Sequence, residues 1–121
     1  MLQLLIVGCG GFLGSISRYK LESTISSKAM TVFPIGTFII NILGSFLLGI
    51  VTALTLHHPH YYALFGDGFL GAFTTFSTFI YGSVQLFLKD EHYFFIIYIL
   101  GSILLGVLAF MLGINLIELA R

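Results

Sequence analysis

The chain has 121 residues, 58% of them hydrophobic and 8% charged, against about 25% charged in a typical soluble domain. Its net charge at neutral pH is zero and its mean hydropathy is +1.07, so it offers no basic tract for a nucleic acid and no charge run for an anionic surface. Most of the chain belongs in lipid. A bilayer crossing takes about 20 residues, and apolar runs predict four helices over about residues 2–22, 32–56, 62–88 and 93–118. These use nearly the whole sequence, so the expectation is an all-α, multi-pass cell-membrane protein with a single four-helix transmembrane domain over residues 1–121.

In the first run the apolar Leu4-Leu5-Ile6-Val7 leads into Gly8-Cys9-Gly10-Gly11-Phe12-Leu13-Gly14-Ser15. Out of context this resembles a strand and a glycine-rich nucleotide turn. No amphipathic crossover helix follows, and no acidic residue closes a second strand about 20 residues on. Gly10/Gly14 and Gly11/Ser15 instead form a small-xxx-small face, which lets membrane helices approach closely. The run lacks a basic leader and a cleavage signature, so it does not read as a removable signal. Cys9 is the only cysteine, which excludes an intramolecular disulfide. Arg18, Lys20 and Lys28 follow, with Ser23–Ser27 read as a short polar connection. Arg18 suits a snorkelling charge at a helix end or an electropositive lure at a pore mouth.

The second run opens at Phe33-Pro34, with Pro near a helix start. Thr37, Asn41 and Ser45 recur four apart along it. A polar Asn at mid-membrane depth is either glue between helices or part of a polar track. His57-His58-Pro59-His60 reads as a solvated turn, with no Cys or carboxylate close enough to complete a ligand set.

The third run contains Gly71-Ala72-Phe73-Thr74-Thr75-Phe76-Ser77-Thr78-Phe79, four hydroxyls in five positions within an apolar segment. Gly and β-branched Thr are weak helix formers, so Gly68, Gly71 and the Thr pair predict an interrupted helix. Such an interruption is tolerated at membrane depth only where its freed backbone groups face protein, water or an ion. Phe76 and Phe79 share a face if the segment beyond Thr75 is helical. Asp67 is the acid placed deepest in an apolar run, and it serves as a functional carboxylate or as an interfacial cap. Lys89-Asp90-Glu91-His92 form a polar turn, and the fourth run carries Tyr98, Ser102 and Gly106 four apart.

Three blocks together resemble the Fluc (CrcB-type) fluoride channels. They are Gly11-x-x-Gly14-x-x-x-Arg18-Tyr19, Phe33-Pro34-x-Gly36-Thr37-x-x-x-Asn41-x-x-Gly44-Ser45-Phe46-x-x-Gly49, and Gly68-Phe69-x-Gly71-x-x-Thr74-Thr75-Phe76-Ser77-Thr78-Phe79. The last block is the specific one. The resemblance implies four transmembrane helices with a broken third, assembled as an antiparallel, dual-topology homodimer with two fluoride pores. It makes Phe76 and Phe79 an aromatic "Phe box", Asn41 a pore-lining donor, and Thr37, Tyr98 and Ser102 a polar track. It matches Arg18 to a vestibule arginine, and Gly71 and Thr74 to residues whose carbonyls hold a central structural sodium ion. Two positions depart: the family's fourth-helix track often continues with a hydroxyl where this chain has Gly106, and Asp67 is unexpected beside an anion path.

Aromatic rings have a positive edge, so the two Phe rings can meet a small hard anion while Asn41, Thr37 and Ser102 donate hydrogen bonds. No fixed charge lies on this track, which suits conduction, because binding must be weak enough to release. Four helices are too few for an internal inverted repeat, so a symmetric path needs a second copy. A small multidrug-type proton-coupled exporter would require a carboxylate deep in the first helix, and Leu2 to Ser17 has none. A non-transporting assembly subunit would leave the Phe pair beside a hydroxyl cluster unexplained. An enzyme is disfavoured for want of a nucleophile–base pair or metal set at membrane depth. Arg18, Lys20, Lys28 and Lys89 bias the loops between runs one and two and between three and four toward the cytoplasm, although an antiparallel dimer requires both insertions.

Overall fold

The structure, a computed structural model, describes Met1–Arg121 and contains helices and turns but no strand. Helix α1 spans Leu2–Lys28 and α2 spans Ile35–Thr55. Helix α3 covers residues 59–73, α4 spans Ser77–Leu88 and α5 spans His92–Leu119. Three stretches are long and apolar enough to cross a bilayer: α2, the α3–α4 run Pro59–Leu88, and α5. Helix α1 has the length, at 27 residues, but its second half carries Arg18, Lys20, Glu22 and Lys28.

The hydrophobic residues are not gathered inside. Only 19 of 121 residues are buried, so most apolar side chains on α1, α4 and α5 point outward and need lipid or protein to cover them. A small core of Ile40, Leu70 and Phe73 joins α2 to α3, with Leu47, Leu48, Val51 and Phe69 packed around it.

Glycines set the helix crossings. A Cβ on Gly49 would strike the Phe110 carbonyl, and one on Gly113 would strike the Phe46 carbonyl, so α2 and α5 touch backbone to backbone. Gly10 and Gly14 are buried and lie against the backbone of Leu64 and Phe69, while Gly68 lies under the Val7 carbonyl. The Gly10/Gly14 face expected of the first helix is therefore its seam with α3. Gly11 and Ser15 are not in that close seam; Ser15 is exposed and bonds its own helix.

Two local expectations are corrected. Residues 23–27 are the last turns of α1 and not a connection. The Ser23 hydroxyl donates to the Tyr19 carbonyl, Thr24 Oγ1 to the Lys20 carbonyl at 2.7 Å, and Ser27 Oγ to the Thr24 carbonyl at 2.9 Å. Hydroxyls satisfied by their own helix give it no reason to stop. The glycines of α3 do not end it either. Ala63–Leu70 winds as a wider π-helix, in which the Gly71 N–H reaches back to the Gly66 carbonyl. Helical geometry is left later, at Thr74, where ψ is 157°, and α4 resumes at Ser77.

Candidate functional site

The departure from helix at Thr74–Phe76 is held by a side chain from another element. The Thr74 N–H still closes onto the Leu70 carbonyl at 3.0 Å, and its Oγ1 donates to the same carbonyl at 2.9 Å. The Thr75 N–H turns away to Asn41 Oδ1 on α2 at 2.8 Å, while Asn41 Nδ2 donates to the Thr75 carbonyl at 2.9 Å. One amide thus serves both backbone groups of a residue that is 7% exposed. Three residues on, the Thr78 N–H points at Thr75 Oγ1 at 3.3 Å, and Thr78 Oγ1 donates to the same oxygen at 2.9 Å. In an uninterrupted helix the N–H groups of Thr75 and Thr78 would serve the carbonyls of Gly71 and Thr74. Both donors are diverted, so those two carbonyls lose their helical partners.

Around this point lies a cavity of about 330 Å³ lined by Asn41, Ser45, Thr74, Thr75, Phe76, Phe79 and Ser102, with Leu48 and Ile103 completing the wall. An Asn amide has two donors; one is committed to Thr75, which leaves one for the cavity. Ser45 Oγ donates to the Asn41 carbonyl at 2.8 Å. Ser102 Oγ is buried without a partner, so its proton is also free. The Phe76 and Phe79 ring centroids are 5.9 Å apart with planes tilted by 38°. Phe76 is 74% exposed on the surface of the single chain. No lining residue carries a charge. Such a wall can hold a small anion by neutral donors and ring edges, weakly enough to release it.

The remaining expected residues divide. Tyr98 is fully buried, its ring 5.2 Å from Phe79 and 5.4 Å from Phe33, and its hydroxyl has no partner. Thr37 lies elsewhere, on a second cavity of about 350 Å³ shared with Glu22, Pro34, Thr78, Tyr81 and Gln85. The Thr75–Thr78 hydroxyl pair stands between the two cavities, one residue on each. Gly106 lines a third cavity of about 370 Å³ with Ser45 and Ser102, and a Cβ there would sit 3.5 Å from Ser45 Oγ. Arg18 is half-buried and makes no ion pair; the one close contact between a basic side chain and a carboxylate joins His92 to Asp90 at 3.6 Å. Asp67 is exposed on the π-helical segment, and His57, His58 and His60 are exposed at their turn.

Sequence reasoning missed Glu22, whose Oε1 accepts a hydrogen bond from Thr37 Oγ1 at 2.5 Å. A carboxylate at the polar end of α1 reads as an interfacial charge. It reaches Thr37 because Gly36 lets α2 begin hard against α1; a Cβ on Gly36 would meet the Glu22 carbonyl at 3.1 Å.

Residues 5–114 match the family described as CrcB-like protein, Camphor Resistance (CrcB). The chain belongs to the CrcB-like family. Among curated relatives, it is similar to "Fluoride-specific ion channel FluC 2" of Clostridium acetobutylicum, with 48% identity over 108 residues covering 89% of this chain and 92% of that protein. It is 40% identical over 116 residues to "Fluoride-specific ion channel FluC 2" of Bacillus thuringiensis subsp. konkukian, covering 96% and 98% of the two chains. "Fluoride-specific ion channel FluC" of Phocaeicola vulgatus is 43% identical over 117 residues, or 94% and 97% of the two. The matched stretches span most of this chain and most of each relative. With its membrane-capable helices, this member of the CrcB-like family is a multi-pass membrane protein.

Proposed function

We propose that this chain is the subunit of a passive, fluoride-selective channel, a conducting pore and not an enzyme. The observation that carries the reading is the convergence of Asn41, Phe76, Phe79 and Ser102 on one uncharged cavity. Fluoride is small and strongly hydrated, so a path must replace its water with donors at each step. The free Asn41 N–H, the Ser102 hydroxyl and the two ring edges are such replacements. The absence of a cation in the wall keeps the ion from being trapped.

In this reading α1 is the fourth span, and two copies insert antiparallel so that each pore has a complete wall. Phe76 is the residue this places at the seam: its ring lines the cavity yet is 74% exposed on the single chain, which leaves that side of the wall open for a second copy to complete. A central sodium ion fits the carbonyls of Gly71 and Thr74. Their helical donors go to Asn41 and to Thr75 Oγ1, and carbonyl oxygens are hard ligands suited to a hard cation. Bound there, the ion would pin the broken helices of the two subunits to each other. Arg18, at the polar end of α1, is the vestibule charge that draws anions in. Liposomes of purified protein, loaded with fluoride or with chloride, test the function: efflux of fluoride with chloride retained is expected, and equal release of both would refute selectivity.

A further inference from the structure

The second cavity holds a feature the conduction reading does not use. Thr37 is 5% exposed, and its single hydroxyl proton is given to Glu22 Oε1 at 2.5 Å. Arg18 stands four residues before Glu22 on the same helix, yet the two form no ion pair, so no cation is paired with the carboxylate at this cavity. Glu22, Thr37, Thr78 and Gln85 share that cavity's wall, and the Tyr98 hydroxyl, partnerless, borders it across Gly82, where a Cβ would come within 3.3 Å of it. A carboxylate oxygen and a fluoride ion are both hard anionic acceptors. The Glu22 oxygen therefore occupies, on Thr37, the place that a conducted fluoride would take.

We propose that Glu22 is a tethered competitor of fluoride that throttles conduction at Thr37. An arriving anion must displace the carboxylate from the hydroxyl and bear its repulsion while doing so. Neutralising the carboxylate removes the repulsion and weakens the competing hydrogen bond, because acceptors that carry charge bind donors more strongly. The inference rests on the proposed channel and extends its path from the first cavity, past the Thr75–Thr78 hydroxyl pair, to Thr37. Tyr81 on α4 and Tyr98 on α5 are the other ionisable groups at this region, and α2 contributes none.

The test compares fluoride efflux from liposomes holding the parent, Glu22→Gln or Thr37→Val, each first checked for unchanged size in detergent. Glu22→Gln should raise the efflux rate at least about threefold at neutral pH, since a unit charge a few ångströms from a partly desolvated ion is a large term, and chloride should stay excluded. Thr37→Val should slow efflux. An unchanged or slower Glu22→Gln channel overturns the throttle. In that case a slowed Thr37→Val channel leaves the path intact and makes Glu22 a structural partner, whereas an unaffected one removes Thr37 from the path as well. Should Glu22→Gln not assemble, Glu22→Ala decides, because it removes the carboxylate altogether. It should also raise fluoride efflux at least about threefold, and an efflux equal to the parent's or slower overturns the proposal.

Discussion

Replacing Asn41 by Leu, which keeps bulk but has no polar atoms, separates two accounts of this residue. As glue between membrane helices, a side-chain hydrogen bond averages about 0.6 kcal/mol, and its loss would be barely measurable. In the structure, however, Asn41 satisfies both the N–H and the carbonyl of Thr75, at 2.8 and 2.9 Å, where the chain has left helical geometry. Thr75 is buried, so neither group can turn to water. Each orphaned group costs roughly 1–3 kcal/mol, which puts Asn41→Leu at about 2–6 kcal/mol. Asn41→Asp keeps the acceptor for the Thr75 N–H but sets an anionic oxygen against the Thr75 carbonyl, and should cost at least as much as Asn41→Leu, since a charge is then buried unpaired, while abolishing fluoride efflux. Reversible unfolding in mixed micelles, followed by helical circular dichroism, reads the stability difference. A loss below about 1 kcal/mol for Asn41→Leu would mean that Thr75 finds other partners, and the reasoning would fail.

Other outcomes follow from the same geometry. Gly113→Ala places a Cβ against the Phe46 carbonyl, a backbone atom that cannot step aside, and should destabilise by about 1–3 kcal/mol or more, seen in the same unfolding assay. Thr74→Ala removes only the hydroxyl bonded to the Leu70 carbonyl and leaves the backbone oxygens. The proposed sodium binding, read by isothermal calorimetry, and the proposed dimeric size should both persist, and loss of the ion in this variant alone would assign it to side chains instead. On a Cys9-free background, a cysteine at Ser27, exposed in the last turn of α1, should be labelled from both sides of the membrane. Labelling from one side alone would refute antiparallel insertion.

Hydropathy located the helical stretches because apolar runs of span length have few alternatives in a chain this poor in charge. It misjudged the end of α1, where composition looked like a loop but Ser23, Thr24 and Ser27 return their hydroxyls to the helix. The expected interruption was spread over Gly68, Gly71 and the Thr74/Thr75 pair, all weak helix formers, and only the Thr pair lies where helical geometry is left. Gly68 is there to pass under the Val7 carbonyl, and the chain leaves helix three residues beyond Gly71. The agent is Asn41, 34 residues away from Thr75, a pairing no local pattern announces. The polar rows on α2 and α5 were legible as rows, since a spacing of four keeps residues on one face. What they face was not. Thr37 parts from Asn41 and meets Glu22 because α2 folds back onto α1 at Gly36, a contact set by the tertiary fold.

In the proposed channel the Phe76 and Phe79 ring edges carry fluoride. Phe→Ile at either position keeps the apolar bulk, a kind of exchange that usually costs under about 1.5 kcal/mol, but removes the positive edge. Phe76 is largely exposed on the single chain, so the subunit itself should fold unchanged; Phe79 gives up its ring contact with Tyr98, worth about 0.5–1.5 kcal/mol. Fluoride efflux from liposomes of each variant, measured on protein of confirmed dimeric size, should fall at least tenfold, a barrier increase of roughly 1.4 kcal/mol. Two Ile variants that release fluoride as fast as the parent would contradict the claim and leave Asn41 and the hydroxyls alone on the path.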